Sequence, residues 1–326
     1  MSDLPKRVHI REEGPREGFQ IEPGPISTED KVRLINGLSE TGIDHIQTVS
    51  FVNAKAVPGW ADAEAVVAGM RKAPGVEYTA LWFSNAGLQR ALAFRDKLHV
   101  TGSLIVSASD TFSKINLNRT RAEHLEVLRK QVDKLRSHAV PVKRVGVMAA
   151  FGCNYSGDVS VAQAIEAADE AMALAASAGE RIEDITLADS MGWCTPDRTE
   201  ALVGAVREKW PDLHVILHLH DTRGMGVASA HAGLRLGVSS FDSTVAGLGG
   251  CPFAGIAGAS GNIASEELVL LCHEMGIETG VDLDKLIEVA RMAERLVGHP
   301  LPSTLLRAGG FRACRMIALR SEPQAA

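Results

Sequence analysis

Short apolar runs alternate along this chain with longer amphipathic stretches, and turn residues separate the two. The runs read as buried β-strands and the stretches as helices packed on them. A strand at 8–11 opens the series, followed by a loop dense in charge at 12–20. Further strands are expected at 43–50, 77–83, 99–106, 145–149, 184–188, 213–220 and 240–245. Helices are expected at 27–39, about 60–70, 87–94, 120–138, 160–178, from Thr195-Pro196 onward, at 227–236 and from Ser265. Ser27 with Asp30, Thr120 with Glu123 and Ser160 with Gln163 stand at capping-box spacing. Gly42 follows the end of the first of these helices, and Pro196 falls in a first turn, where its missing N–H costs nothing.

The resulting pattern is strand, loop, helix, repeated eight times without a linker or a low-complexity tract. It predicts an α/β protein: a single (β/α)8 TIM barrel over residues 1–281, with a short helical C-terminal extension at 282–326 packed on it. A doubly wound open sheet is the alternative. The first βα turn lacks the glycine fingerprint such a sheet uses for a dinucleotide, and Gly247 to Gly250 comes too late in the chain to be one.

Composition narrows the partners. With 326 residues and 45% hydrophobic content the chain can bury a large core. A net charge of −6 argues against nucleic acid or an anionic membrane surface. No apolar run is long enough to span a bilayer, and the first residues carry no apolar segment of signal-peptide type. Five scattered cysteines (153, 194, 251, 272 and 314) form no C-x-x-C pair, which reads as a reduced, cytoplasmic protein.

Chemistry concentrates at strand ends. His218 and His220 are spaced i, i+2 at the end of the seventh strand, so both imidazoles project from one face. A pair of this kind suits a divalent metal, and two satisfied core histidines are the plainer reading. In a barrel the loops after the strands converge on one mouth. That brings together Arg16 and Glu17, Gln47, Ser107 to Asp110, Asp189, the histidine pair and the loop from Cys251 to Asn262. One carboxylate, Glu17, with His218 and His220 leaves coordination positions open for water or substrate. Each residue also has a plain reading: Glu17 paired with Arg16 at the surface, Asp189 capping a turn, Cys251 as a small buried hydrophobe.

At these residues the chain resembles a known family. Gly14-Pro15-Arg16-Glu17-Gly18-Phe19-Gln20, Thr48-Val49-Ser50-Phe51-Val52, His218-Leu219-His220-Asp221-Thr222, Val245 through Pro252 and Gly258-Ala259-Ser260-Gly261-Asn262 are similar to the 3-hydroxy-3-methylglutaryl-CoA lyases. These belong to a metal-dependent lyase and synthase group on TIM barrels. The resemblance covers nearly the whole chain, and the glycine–cysteine loop is the part that separates lyases from synthases. It implies a carbon–carbon lyase that cleaves a 3-hydroxyacyl-CoA in the retro-Claisen sense, to a keto product and acetyl-CoA or a similar acyl-CoA. It implies that Glu17, His218, His220 and Asn262 hold Mg2+ or Mn2+, which the substrate's tertiary hydroxyl would chelate. Arg16 would stabilise oxyanion charge, Cys251 would protonate the enolate carbon, and Asp189 would orient a histidine or relay a proton. Gln47, Thr186 and Tyr155 join Arg16 as expected substrate contacts. A homodimer is implied as well.

Two departures bear on the substrate. The resembling lyases carry Arg-Asp where this chain has Arg16-Glu17, and a glutamate where it has Gln47. Glutamine keeps the size and loses the charge, so the expectation is an Arg16 guanidinium left less neutralised. Three rivals stand beside the lyase: a Claisen-type synthase or aldolase on the same barrel, a non-haem iron oxygenase, and a barrel that binds acyl-CoA without turnover. Lys55, Lys114 and Arg119 are expected in loops at the mouth, where they would meet phosphates or simply carry solvated charge.

Overall fold

The computed structural model describes residues 4–55, 57–249 and 261–310. Its strands are β1 (His9–Glu12), β2 (His45–Ser50), β3 (Glu77–Leu81), β4 (Gly102–Ser107), β5 (Val142–Met148), β6 (Asp184–Ala188), β7 (His214–His218) and β8 (Ser240–Ser243). Every paired neighbour is parallel, in the order β3-β2-β1-β8-β7-β6-β5-β4. This is the cyclic order of an eight-stranded (β/α)8 barrel with a seam between β3 and β4. At the seam the His99 N–H donates to the Tyr78 carbonyl at 2.7 Å. A doubly wound sheet would reverse direction at a switch point, and this order does not.

The helices form because their ends are satisfied locally. Ser27 accepts from the Asp30 N–H at the start of helix Thr28–Ser39. Thr120 with Glu123 and Ser160 with Gln163 each make the full reciprocal box, on helices Arg121–Ser137 and Val161–Ser177. Asp282 caps helix Leu283–Val297, which Gly298 ends at φ +76°. That last helix lies against Thr28–Ser39 so closely that a Cβ on Gly37 would come within 2.9 Å of Met292.

Strand alternation sorts apolar from charged residues. Leu217 and Phe241 pack outward beneath Gly233 of helix Gly226–Arg235. With Ile10, Ile46, Val145 and Ile185 they belong to one continuous buried layer between strands and helices. The intervening positions turn inward and carry charge. Arg11 Nε donates to Asp242 Oδ1 at 3.0 Å, and Arg144 Nη2 lies 3.4 Å from Asp184 Oδ2. The barrel interior is therefore paired charge, and that is why the strands hold polar residues among buried apolar ones.

Two local expectations change. Residues 12–20 are not an open loop: Gly14–Gly18 makes a wide helical turn that runs into Phe19–Ile21. Residues 107–110 lead into an unforeseen helix, Asp110–Leu117, which Ser109 caps by accepting from the Phe112 N–H at 3.2 Å. Lys114 is thus on a helix rather than in a loop. Eight residues closed by the left-handed Asn118 are too few to show a helical period in the sequence.

Candidate active site

The turn after β1 is held from below. Glu12 is fully buried, and its Oε1 accepts from the Gly14 N–H (2.7 Å) and the Val245 N–H (2.9 Å). Its Oε2 meets Ser265 Oγ at 2.5 Å. Glycine is needed at both ends of the turn: a Cβ would lie 2.5 Å from Glu12 Oε1 at Gly14, and 2.3 Å from Leu248 Cγ at Gly18. Trp60 Nε1 donates to the Arg16 carbonyl at 3.1 Å and fixes the turn's outer side. Arg16 and Glu17 are thereby aimed across the mouth of the barrel.

There Glu17 meets the two histidines. One ligand atom from each of Glu17, His218 and His220 lies within 4.8 Å of the other two. His218 Nε2 and His220 Nε2 face each other at 3.2 Å, and Glu17 Oε1 is 3.8 Å from His220 Nε2. Asn262 arrives from far along the chain. Its segment returns across the strand ends, with Ile263 N–H donating to Leu219 O (3.1 Å) and Thr244 N–H to Ile263 O (3.0 Å), which pairs Asn262 with His220. Asn262 Oδ1 and His220 Nδ1 are buried without a hydrogen-bond partner. Buried polar atoms are seldom left so. A carboxylate, two imidazoles and an orphaned amide oxygen fit a divalent cation.

Electrostatics divide the pair. Burial alone would lower the His218 pKa, but its bond to Asp242, with Glu17 and Glu13 nearby, raises it to about 9. Burial lowers His220 to about 4, and the charge on His218 adds to that. Burial would raise Glu17, yet Arg16 and the imidazoles outweigh it and hold the carboxyl down at about 2.

The structure corrects the expectation about Arg16. Its Nε donates to Gln47 Oε1 and its Nη2 to Glu13 Oε2, with Glu17 Oε2 3.0 Å from the same Nη2. Gln47 Nε2 in turn donates to Glu13 Oε1 at 3.3 Å. The guanidinium is not under-neutralised, because Glu13 supplies a carboxylate beside the neutral amide. Burial pushes Glu13 up to about 7 against the pull of Arg16.

The remaining candidates fare differently. Asp189 is fully buried and accepts from the Trp193 N–H (2.7 Å) and the Cys194 N–H (3.0 Å), so it caps the turn after β6. Burial raises it to about 6. Thr186 on β6 has a buried hydroxyl without a partner. Tyr155 is not drawn into the group; it stands 45% exposed after β5. Cys251 lies outside the described residues, as do Gly258 to Ser260 of the same loop. Two residues escaped the sequence reading, Glu13 and Asp242. Asp242 sits at an inward-facing position of β8, two past Ser240, and Glu13 lies just beyond the end of β1, two past the inward-facing Arg11. That alternation is the signal that could have found them.

Fold and site together define a class: (β/α)8 barrel enzymes that gather a carboxylate and imidazoles suited to a divalent cation at the C-terminal mouth. Within that class the chain belongs to the HMGL-like family, whose model matches residues 7–293. It is 37% identical over 303 residues to a hydroxymethylglutaryl-CoA lyase of Bacillus subtilis, covering 93% of this chain and 97% of that one. It is 35% identical to the 3-hydroxy-3-isohexenylglutaryl-CoA/hydroxymethylglutaryl-CoA lyase of Pseudomonas aeruginosa, over 98% of this chain and 100% of the other. The solved HMG-CoA lyase of Acinetobacter baumannii, in complex with coenzyme A and 3-methylmalate, superposes with a TM-score of 0.82 at 35% identity, covering 94% of this chain and 96% of that chain. No helix among the described residues is long and apolar enough to cross a membrane.

Proposed function

We propose that this protein is a divalent-metal-dependent carbon–carbon lyase that cleaves a 3-hydroxy-3-methylglutaryl-CoA-like thioester to a keto acid and a short acyl-CoA. The observation that carries the reading is the convergence of Glu17, His218 and His220 beside the orphaned Asn262 amide oxygen. Those four residues would hold Mg2+ or Mn2+. When bound, such an ion supplies a Lewis acid that lowers the pKa of the substrate's tertiary hydroxyl.

The chain's own groups do the rest. Loss of the hydroxyl proton makes C3 a carbonyl, the C2–C3 bond breaks, and its electron pair passes into the thioester enolate. Arg16 gives Nε and Nη2 to Gln47, Glu13 and Glu17. Its Nη1 has no such partner among the described residues and is free to donate to the enolate oxygen. Cys251 delivers the proton to the enolate carbon. Residues 1–281 form the catalytic barrel in this reading and 282–326 an extension on it, in a cytoplasmic homodimer.

The relatives differ in the group they accept at C3, since one is named for a methyl and an isohexenyl substrate. The test is therefore a mass-spectrometric screen of 3-hydroxy-3-alkylglutaryl-CoA thioesters with Mg2+ or Mn2+ under anaerobic conditions. Release of acetyl-CoA supports the reading. Turnover that needs ferrous iron and O2 points to the oxygenase, and binding with no product under any metal overturns the lyase.

A further inference from the structure

We propose that Glu13 is a positioning residue of this site: with Gln47 it clamps Arg16, and positions 13 and 47 together carry one negative charge for the guanidinium beside that of Glu17. The proposal rests on the lyase reading and deepens it.

The contacts form a closed ring. Arg16 bonds Gln47 through Nε and Glu13 through Nη2, and Gln47 closes the ring to the second oxygen of Glu13 at 3.3 Å. Each partner has one role. Only Glu13 in this ring can neutralise the guanidinium, because a glutamine amide is uncharged. Only Gln47 can accept at Nε and donate to Glu13 at once. A guanidinium is a planar fork with a long stem, and locking two of its three nitrogens removes most of its rotational freedom before substrate arrives. What remains, Nη1, then has a defined direction. Glu13 is buried and Arg16 half-buried, with side-chain exposures of 7% and 12%, so water screens this pairing poorly.

Charge sets the rule for substitution. One carboxylate divided between positions 13 and 47 suits Arg16. None leaves Arg16 with Glu17 alone, a carboxylate that also faces the two imidazoles, and two put like charges at the 3.3 Å spacing of Gln47 and Glu13. The experiment is a double-mutant cycle of Glu13→Gln, Gln47→Glu and the combined variant, in the full chain with Mg2+. The thioester that the wild type cleaves fastest is the substrate, and Tm is recorded for each protein. Each single variant should lose about tenfold or more in kcat with a smaller change in KM, because Arg16 acts as charge develops. The combined variant, which moves the carboxylate across the ring, should recover to within about threefold of wild type. Losses that simply multiply in the combined variant overturn the clamp.

Two further readouts separate the alternatives. Glu13 also lies within ligand distance of His218 and Asp242. A loss of Mn2+ affinity in Glu13→Gln that Gln47→Glu does not restore, measured by calorimetry, would make it a metal ligand and overturn the proposal. Solvent exchange of the Arg16 Nε–H, followed by NMR, should speed up in Glu13→Gln and slow again in the combined variant. Unchanged exchange overturns the clamp whether or not the protein turns over. A wild type that cleaves no thioester overturns the lyase reading and leaves the exchange measurement to decide the clamp. If Glu13→Gln does not fold, Gln47→Met takes its place: it removes the acceptor at Nε and should show the same faster exchange and lower kcat, and wild-type values would overturn the proposal.

Discussion

His218 Nδ1 lies 3.2 Å from Asp242 Oδ2 on the neighbouring strand. The same carboxylate accepts from Arg11 Nε at its other oxygen. Asp242 is thus held from beneath and sets the orientation of the imidazole above it, leaving His218 Nε2 turned toward His220 and Glu17. A carboxylate on the far nitrogen of a ligating histidine fixes its tautomer and raises its basicity. We expect Asp242→Asn to weaken Mn2+ binding by about 10- to 100-fold. Calorimetry on the purified variant checks this, and wild-type affinity would remove Asp242 from the metal site.

The ligand assignment itself is tested at the histidines. His218→Ala and His220→Ala should each lose bound metal, measured by elemental analysis after dialysis against a fixed Mg2+ or Mn2+ concentration. Unchanged stoichiometry in both variants would show that the imidazoles are buried core groups and nothing more.

Cys251→Ser keeps the size and weakens the acid, since a thiol has an unperturbed pKa of about 8.5 and a hydroxyl far higher. The variant should lose about a hundredfold or more in kcat while Tm and metal content stay near wild type. A core-packing role predicts the opposite, a lowered Tm with kcat per folded molecule preserved.

Glu12 makes stability fall with rising pH. Burial raises its pKa from 4.5 to about 8, against the lowering effect of its Ser265, Val245 and Gly14 bonds. A carboxyl raised in the folded state favours folding fully below its unfolded pKa, and loses that contribution as pH climbs through the folded value. Wild-type Tm should therefore drop between pH 5 and pH 8. Glu12→Gln mimics the protonated side chain and cannot titrate, so its Tm should decline less over that window. Glu17 and Asp242, both shifted downward, act below this range, while Glu13, Asp189 and Glu266, raised by burial to about 7, 6 and 7, titrate within it in both proteins, so the difference between the two curves reports Glu12. Parallel curves for the two proteins would exclude Glu12 as the source.

The alternation of apolar runs and amphipathic stretches was enough to predict the barrel, because strand and helix periods are local properties of the chain. The capping boxes at Thr120 and Ser160 are local as well, spanning four residues each, and both were legible. So was the facing of His218 and His220, spaced by two, although the strand expected over 213–220 ends at His218 and His220 is held beyond it by its bridge to Asn262. The company these side chains keep was not legible. Asn262 reaches His220 only because its segment crosses the ends of β7 and β8. Glu13 reaches Arg16 and Gln47 only because a helical turn folds Arg16 back over its own strand while β2 lies alongside. The charge balance around Arg16 was misjudged from sequence for that reason: the expectation counted the residue at position 47 and had no means of seeing a carboxylate arriving from position 13. Hydrophobic periodicity is written along the chain. Which charges become neighbours in a buried interior is decided by strand register and by the loops that close over it, and those exist only once the barrel has formed.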